Sequence, residues 1–297
     1  MKLSFNQATA KDCSSLEQDL VLCDRYGFDY IEIRDDMLID YLKNHSVEEL
    51  KAFFDTHRLK PHAINALYVT SDMFTTERSD GAERALLASF LLCCEVAKQI
   101  GSKHYIVVPP FRDPWNDEPF SDSPEKVKED CVRILRRLSD IVRRYDITLA
   151  WEPVGNIGFS VRDVEFAWEI VRAVDRDNVG LTLDAFNLYS KDKLNDFAAI
   201  REVPAEKICA VHLNNADDLP IGVLDHCHRR FCDSGEIDLD NFLRNVLATG
   251  YDGMASIETF RPEYWEMAPD DVISKACETT RTVVARATAA LTPGVPE

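Results

Sequence analysis

Strand-like and helix-like segments alternate along nearly all of the 297-residue chain. No other feature restricts the possible folds so strongly. Short apolar runs recur at 2–6, 30–33, 60–66, 104–108, 148–152, 180–184, 209–212 and 255–258. They are short and carry little polar alternation, as strands buried on both faces do. Helical spacing is expected over 16–26, 47–57, 82–100, 124–145, 164–174, 194–202 and 239–249, with a last helix near 270–289. Local punctuation agrees: Ser46 with Glu49 three residues later reads as a capping box. Pro124 follows Ser123 at a first helical position, and Gly27, Gly101 and Gly250 each follow a helix.

Eight strands alternating with eight helices predict an α/β chain folded as a single-domain (β/α)8 TIM barrel over residues 1–290, followed by a C-terminal tail, 291–297. A doubly wound sheet is the rival. Its usual nucleotide sites are missing, because no G-x-G-x-x-G or G-x-x-x-x-G-K-[ST] follows any strand. No Pro/Gly/Ser-rich linker divides the chain. The longest connection, some 25 residues after His212, is long enough to carry function.

Four consecutive strands end in residues that do not belong in an apolar core. Glu152 closes "ITLAWE", Asp184 closes "VGLTLD", His212 closes "ICAVH" and Glu258 closes "MASIE". The intervals are 32, 28 and 46 residues, the last containing the long connection. One βα unit takes about 30 residues, so the four side chains should meet at the C-terminal mouth of the barrel. A single carboxylate at a strand end is usually a helix cap or a solvated loop residue. Three carboxylates and a histidine on successive strands fit a shared divalent-metal site for Mn²⁺, Co²⁺, Mg²⁺ or Zn²⁺, since three close carboxylates repel one another without a cation.

With these residues in place, the chain resembles the xylose isomerase-like superfamily of sugar isomerases and epimerases, and within it the inosose isomerases of inositol catabolism. The resemblance spans nearly the whole sequence. It rests on "MKLSFNQAT", "YGFDYIEIR" (26–34), "KPHAINAL" (60–67), "RDNVGLTLDAF" (176–186), "DLPIG" (218–222) and "FRPEYW" (260–265). It implies that Glu152, Asp184, His212 and Glu258 are the metal ligands, with Mn²⁺ the expected ion. It also implies that Glu152 and Glu258 are catalytic, passing a proton through an enediolate to interconvert 2-keto-myo-inositol and its 1-keto isomer. A ketose 3-epimerase, or a dehydratase acting on a keto-inositol or 3-dehydroshikimate, would use the same constellation. A metal-bearing sugar-binding subunit without catalysis is the reading from another class.

The sequence departs from the family pattern after strand six, where Asn187 stands in place of a His. In the long connection, Cys232-Asp233 replaces a Pro-Gly pair, while Arg229 matches the family arginine that reaches toward substrate. Arg229, Asn187, Glu32, Asn65 and Trp115 are therefore the expected substrate-binding residues. His226 and His228 read as polar loop residues.

Composition limits the partners to small molecules. Lys and Arg number 34 against 52 Asp and Glu, a formal charge of −18, and a nucleic acid or an anionic membrane would need a basic footprint. The opening "MKLSFNQATAKD" lacks the apolar core of a signal peptide. The nine Cys lack C-x-x-C spacing and read as reduced thiols, so a cytoplasmic enzyme is expected, and a homodimer is compatible with it.

Overall fold

The apolar runs close into a barrel in a computed structural model that describes residues 1–75, 81–113 and 122–290. Its strands are β1 (Lys2–Asn6), β2 (Tyr30–Arg34), β3 (Lys60–Tyr68), β4 (His104–Val108), β5 (Thr148–Trp151), β6 (Val179–Asp184), β7 (Ile208–Leu213) and β8 (Met254–Ile257). All pair in parallel, and β8 closes onto β1. The tail 291–297 lies outside the described residues.

The chain builds two cores. Large side chains such as Phe5, Trp151 and Leu183 face outward under the helices. Inside the barrel the cluster is made of smaller residues, among them Ala63, Ala150, Ala210, Ile106 and Met254. Small residues there leave depth beneath the mouth for polar side chains. Gly180 belongs to this economy: a Cβ on it would lie 2.5 Å from the Lys207 carbonyl oxygen on the neighbouring chain segment.

Around the barrel run α1 (Leu16–Tyr26), α2 (Asp35–Tyr41), α3 (Val47–Thr56), α4 (Gly81–Ile100), α5 (Pro124–Val142), α6 (Val164–Val174), α7 (Ala185–Ser190), α8 (Leu239–Ala248), α9 (Pro262–Trp265) and α10 (Pro269–Ala289). The Ser46–Glu49 capping box forms as expected, and Gly27, Gly101 and Gly250 take positive φ. Two helical expectations need correction. The helix expected over 194–202 is only a 3₁₀ stretch, Ala198–Glu202, because Asp192 and Asp196 accept from the backbone N–H two residues ahead and break the spacing. The helix after β6 instead begins at once, with Asp184 as its cap. The short α2 carries a single buried residue, Leu38, too few to leave a helical period in the sequence. No helix among the described residues is long and apolar enough to cross a membrane.

Candidate metal centre and active site

Asp184 shows why a buried strand can end in a carboxylate. Its Oδ1 accepts from the Asn187 N–H at 2.7 Å and caps α7, while Oδ2 turns into the barrel mouth. The helix cap and the metal-type ligand are one side chain. Asn6 repeats the device, its Oδ1 accepting from Ala8 N and its Nδ2 donating to Glu258.

Glu152, Asp184, His212 and Glu258 each place one donor atom within 4.8 Å of the others. Register explains the meeting: Asp184 pairs with His212 across β6 and β7, and His212 with Ser256 across β7 and β8. Glu152 and Glu258 each extend the ladder one residue past a strand, donating backbone N–H to Val107 and Leu213. All four are buried.

His212 tests whether a cation fits. Its Nε2 lies 3.0 Å from Glu32 Oε2. Its Nδ1 is buried without a hydrogen-bond partner and faces Glu258 Oε2 at 3.2 Å, Glu152 Oε1 at 3.3 Å and Asp184 Oδ2 at 3.6 Å. An orphaned imidazole nitrogen facing three carboxylates is the donor set of a divalent metal site. A larger hollow of about 620 Å³ beside Trp168 and Leu194 brings no such group together among the described residues.

The two glutamates differ in their supports. Glu258 Oε1 accepts from Asn6 Nδ2 at 2.9 Å and Asn65 Nδ2 at 3.0 Å, and Oε2 accepts from Arg229 Nη1 at 2.6 Å. Burial would raise its pKa, but His212 and Arg229 outweigh burial and hold it well below the usual carboxylate range. Glu152 accepts from a single amide, Asn187 Nδ2 at 3.0 Å, and burial pushes it up to about 7 against the pull of His212. The two carboxylates of one site are thus held differently by their neighbours.

Three comparisons bear on what such a site belongs to. A family model described as xylose isomerase-like TIM barrel matches residues 20–283. The chain is 36% identical to the inosose isomerases of Bacillus velezensis and Bacillus subtilis over 287 residues, covering 96% of this chain and 98% and 99% of theirs. The crystal structure of an IolI protein with a bound zinc atom superposes with a TM-score of 0.86 at 36% identity, covering 96% of this chain and 99% of that one.

This chain belongs to the xylose isomerase-like TIM barrel family. Within that frame, the expected substrate-binding residues fall into three groups. Arg229, Asn65 and Asn187 line the mouth cavity with both glutamates. Asn187 has its amide committed at both ends, its Nδ2 to Glu152 and its Oδ1 to Arg229 Nη2 at 3.1 Å. Arg229, fully buried between the rings of Phe186 and Phe260, also donates to Asp184 Oδ2 at 2.9 Å.

Glu32 departs from the expectation. It is fully buried and is no part of the cavity wall, because it sits behind His212 and spends Oε2 on its Nε2. Trp115 lies outside the described residues. Asn214 was missed altogether. Its Nδ2 donates to Asp184 Oδ2 and the Glu258 carbonyl, both at 3.0 Å, and its Oδ1 accepts from Phe186 N. The signal was the repeated Asn in "HLNN", whose second member, Asn215, instead ties the loop to Ile237. Arg261, three residues past Glu258, pairs with Asp217 Oδ2 at 2.8 Å.

Proposed function

We propose that this protein is a divalent-metal-dependent inosose isomerase. It would interconvert 2-keto-myo-inositol and its 1-keto isomer. The observation that carries the reading is the convergence of Glu152, Asp184, His212 and Glu258 at the barrel mouth, in a chain that matches inosose isomerases end to end. A cation held by these four residues, with Mn²⁺ the first to load, would act as a Lewis acid that polarises the ketone and acidifies the neighbouring C–H.

The remaining work falls to this chain's own groups. Glu152 and Glu258 reach the mouth from strands three places apart around the barrel, which lets them address different faces of a ring. One carboxylate takes the proton from C1, leaving an enediolate. The C1 hydroxyl proton passes to the oxygen on C2, and the other glutamate, entering as the carboxylic acid, delivers its proton to C2. Exchange with solvent then returns both glutamates to their starting states. The ketone has moved by one carbon and no atom is gained or lost. Asn6 and Asn65 aim Glu258, Asn187 aims Glu152, and the phenylalanines beside Arg229 keep water from the charges.

Proton NMR of 2-keto-myo-inositol with Mn²⁺-loaded protein in D₂O tests this, with the metal chelated before acquisition. The expected outcome is the 1-keto isomer carrying solvent deuterium, lost in Glu258→Gln brought to equal metal content. A dehydrated enone would replace the reading with a dehydratase. No exchange at all would end the keto-inositol reading.

A further inference from the structure

His226 opens the turn after Asp225 in the connection between β7 and α8, and its ring reaches the mouth cavity beside Glu152, Glu258 and Asn65. The turn is fixed from below. Asp225 Oδ1 accepts from His226 N at 2.7 Å and from Asn156 Nδ2 at 2.9 Å, and Asn156 Oδ1 accepts from Ser190 Oγ at 3.1 Å. Asp225 N in turn donates to His228 Nδ1 at 3.0 Å, which closes the turn.

The ring itself is held by four neighbours. Phe260, Phe186 and Phe159 surround it with centroids at 5.6, 6.1 and 6.4 Å. Arg229 Nη2 lies 3.1 Å from its Nδ1. A guanidinium can only donate, so Nδ1 accepts, and the neutral ring must carry its hydrogen on Nε2. Burial and the adjacent Arg229 charge push the imidazole down to about 4, which keeps it neutral near pH 7. No described residue accepts from Nε2. The same guanidinium binds Asp184 and Glu258 through Nη1, so this free donor is held in fixed register with the carboxylates.

We propose that His226 is a substrate-binding residue whose Nε2–H donates to a hydroxyl or carbonyl oxygen of the bound polyol ring and helps set which ring the site accepts. The identity of that ring rests on the isomerase reading; the tautomer and the free donor do not. A donor caged by phenyl rings discriminates sharply, because a ligand without an acceptor at that point leaves it unpaired.

The test has two arms. With ¹⁵N-histidine in the Zn²⁺-loaded protein, long-range ¹⁵N–¹H correlations should show His226 neutral and protonated on Nε2. The Nε2–H resonance should shift on adding 2-keto-myo-inositol. In turnover, His226→Phe, which keeps a ring in the cage, should raise KM about tenfold with kcat changed less than about threefold. His226→Asn should recover part of the loss through its amide N–H.

An Nδ1–H or doubly protonated ring, or an unchanged KM in His226→Phe at an unchanged melting temperature, would overturn the proposal. A wild type that binds but does not turn over inosose would remove the isomerase reading and leave the resonance arm to decide. There, D-fructose is titrated as a ketohexose beside the inosose. A shift with either ligand supports the contact, and no shift with both rejects it.

Discussion

His212 is gripped on both edges of its ring, and the two grips do different work. Glu32 accepts at Nε2, which fixes the tautomer that leaves Nδ1 free for a cation. Burial alone would depress this imidazole, but Glu32 and then Glu258 carry its pKa well above the ordinary value. Glu32→Gln keeps the size and an acceptor while removing the charge. Calorimetry with Mn²⁺ should find its metal affinity about 10–100-fold weaker than wild type, with the fold intact. Equal affinities would reduce Glu32 to a buried filler. This residue also marks where the sequence stopped being readable. The four residues of the proposed metal centre stand out in the sequence because each interrupts an apolar run at its own strand end. Glu32 interrupts "YIEIR" in the same way, yet its partner is 180 residues away and across the barrel. Asn6, Asn65 and Asn214 share the problem: their amides act on Glu258 or Asp184, at a distance in sequence that no local pattern encodes.

Among the elements, α7 is the one on which the site turns. Its start is set by Asp184, and its Asn187 aims Glu152, so a displacement of this six-residue helix moves both sides of the centre. The loop after β5 presses against it at Gly155. A Cβ there would lie 2.0 Å from the Asn187 carbonyl oxygen and 2.7 Å from Lys191 N, and backbone atoms cannot step aside cheaply. Gly155→Ala should therefore cost about 1–3 kcal/mol of stability. It should also lower kcat/KM about tenfold or more by shifting Asn187. Gly222→Ala is the control, since its Cβ meets nothing within 4 Å, and melting and turnover should match wild type. An active, fully stable Gly155→Ala would mean that α7 tolerates movement. The sequence offered little warning of this contact. It encoded the periodic helices well, because each buries a full stripe, whereas α7 is too short to show a period and is defined by its cap.

Across the whole molecule, two buried groups outside the four-residue centre give responses to pH that pull in opposite directions. Asp19 in α1 is buried against Gln7, whose Nε2 donates to it at 2.7 Å, and burial pushes its carboxyl up to about 7. An unfolded Asp titrates near 3.9, so between about pH 4 and 7 the folded state binds more protons, and this group makes stability fall as pH rises. His104 lies at the other end of the barrel against His62, ring centroids 4.7 Å apart, and burial lowers it to about 3. An unfolded His titrates near 6.5, so between about pH 3 and 6.5 the unfolded state binds more protons, and this group makes stability rise with pH. The two slopes oppose each other from about pH 4 to 6.5, and a flat wild-type profile there would conceal both. Single variants separate them. The stability of Asp19→Asn relative to wild type should improve with pH by up to about 1.4 kcal/mol per unit between pH 4 and 7. His104→Gln should gain relative to wild type as pH falls below about 6.5, with a similar limiting slope. Differences from wild type cancel the titration of the mouth carboxylates, which all three proteins share. Urea midpoints measured at half-unit steps from pH 4 to 8 would decide it. A pH-independent offset in either variant would show that the group it replaces carries the same charge folded and unfolded.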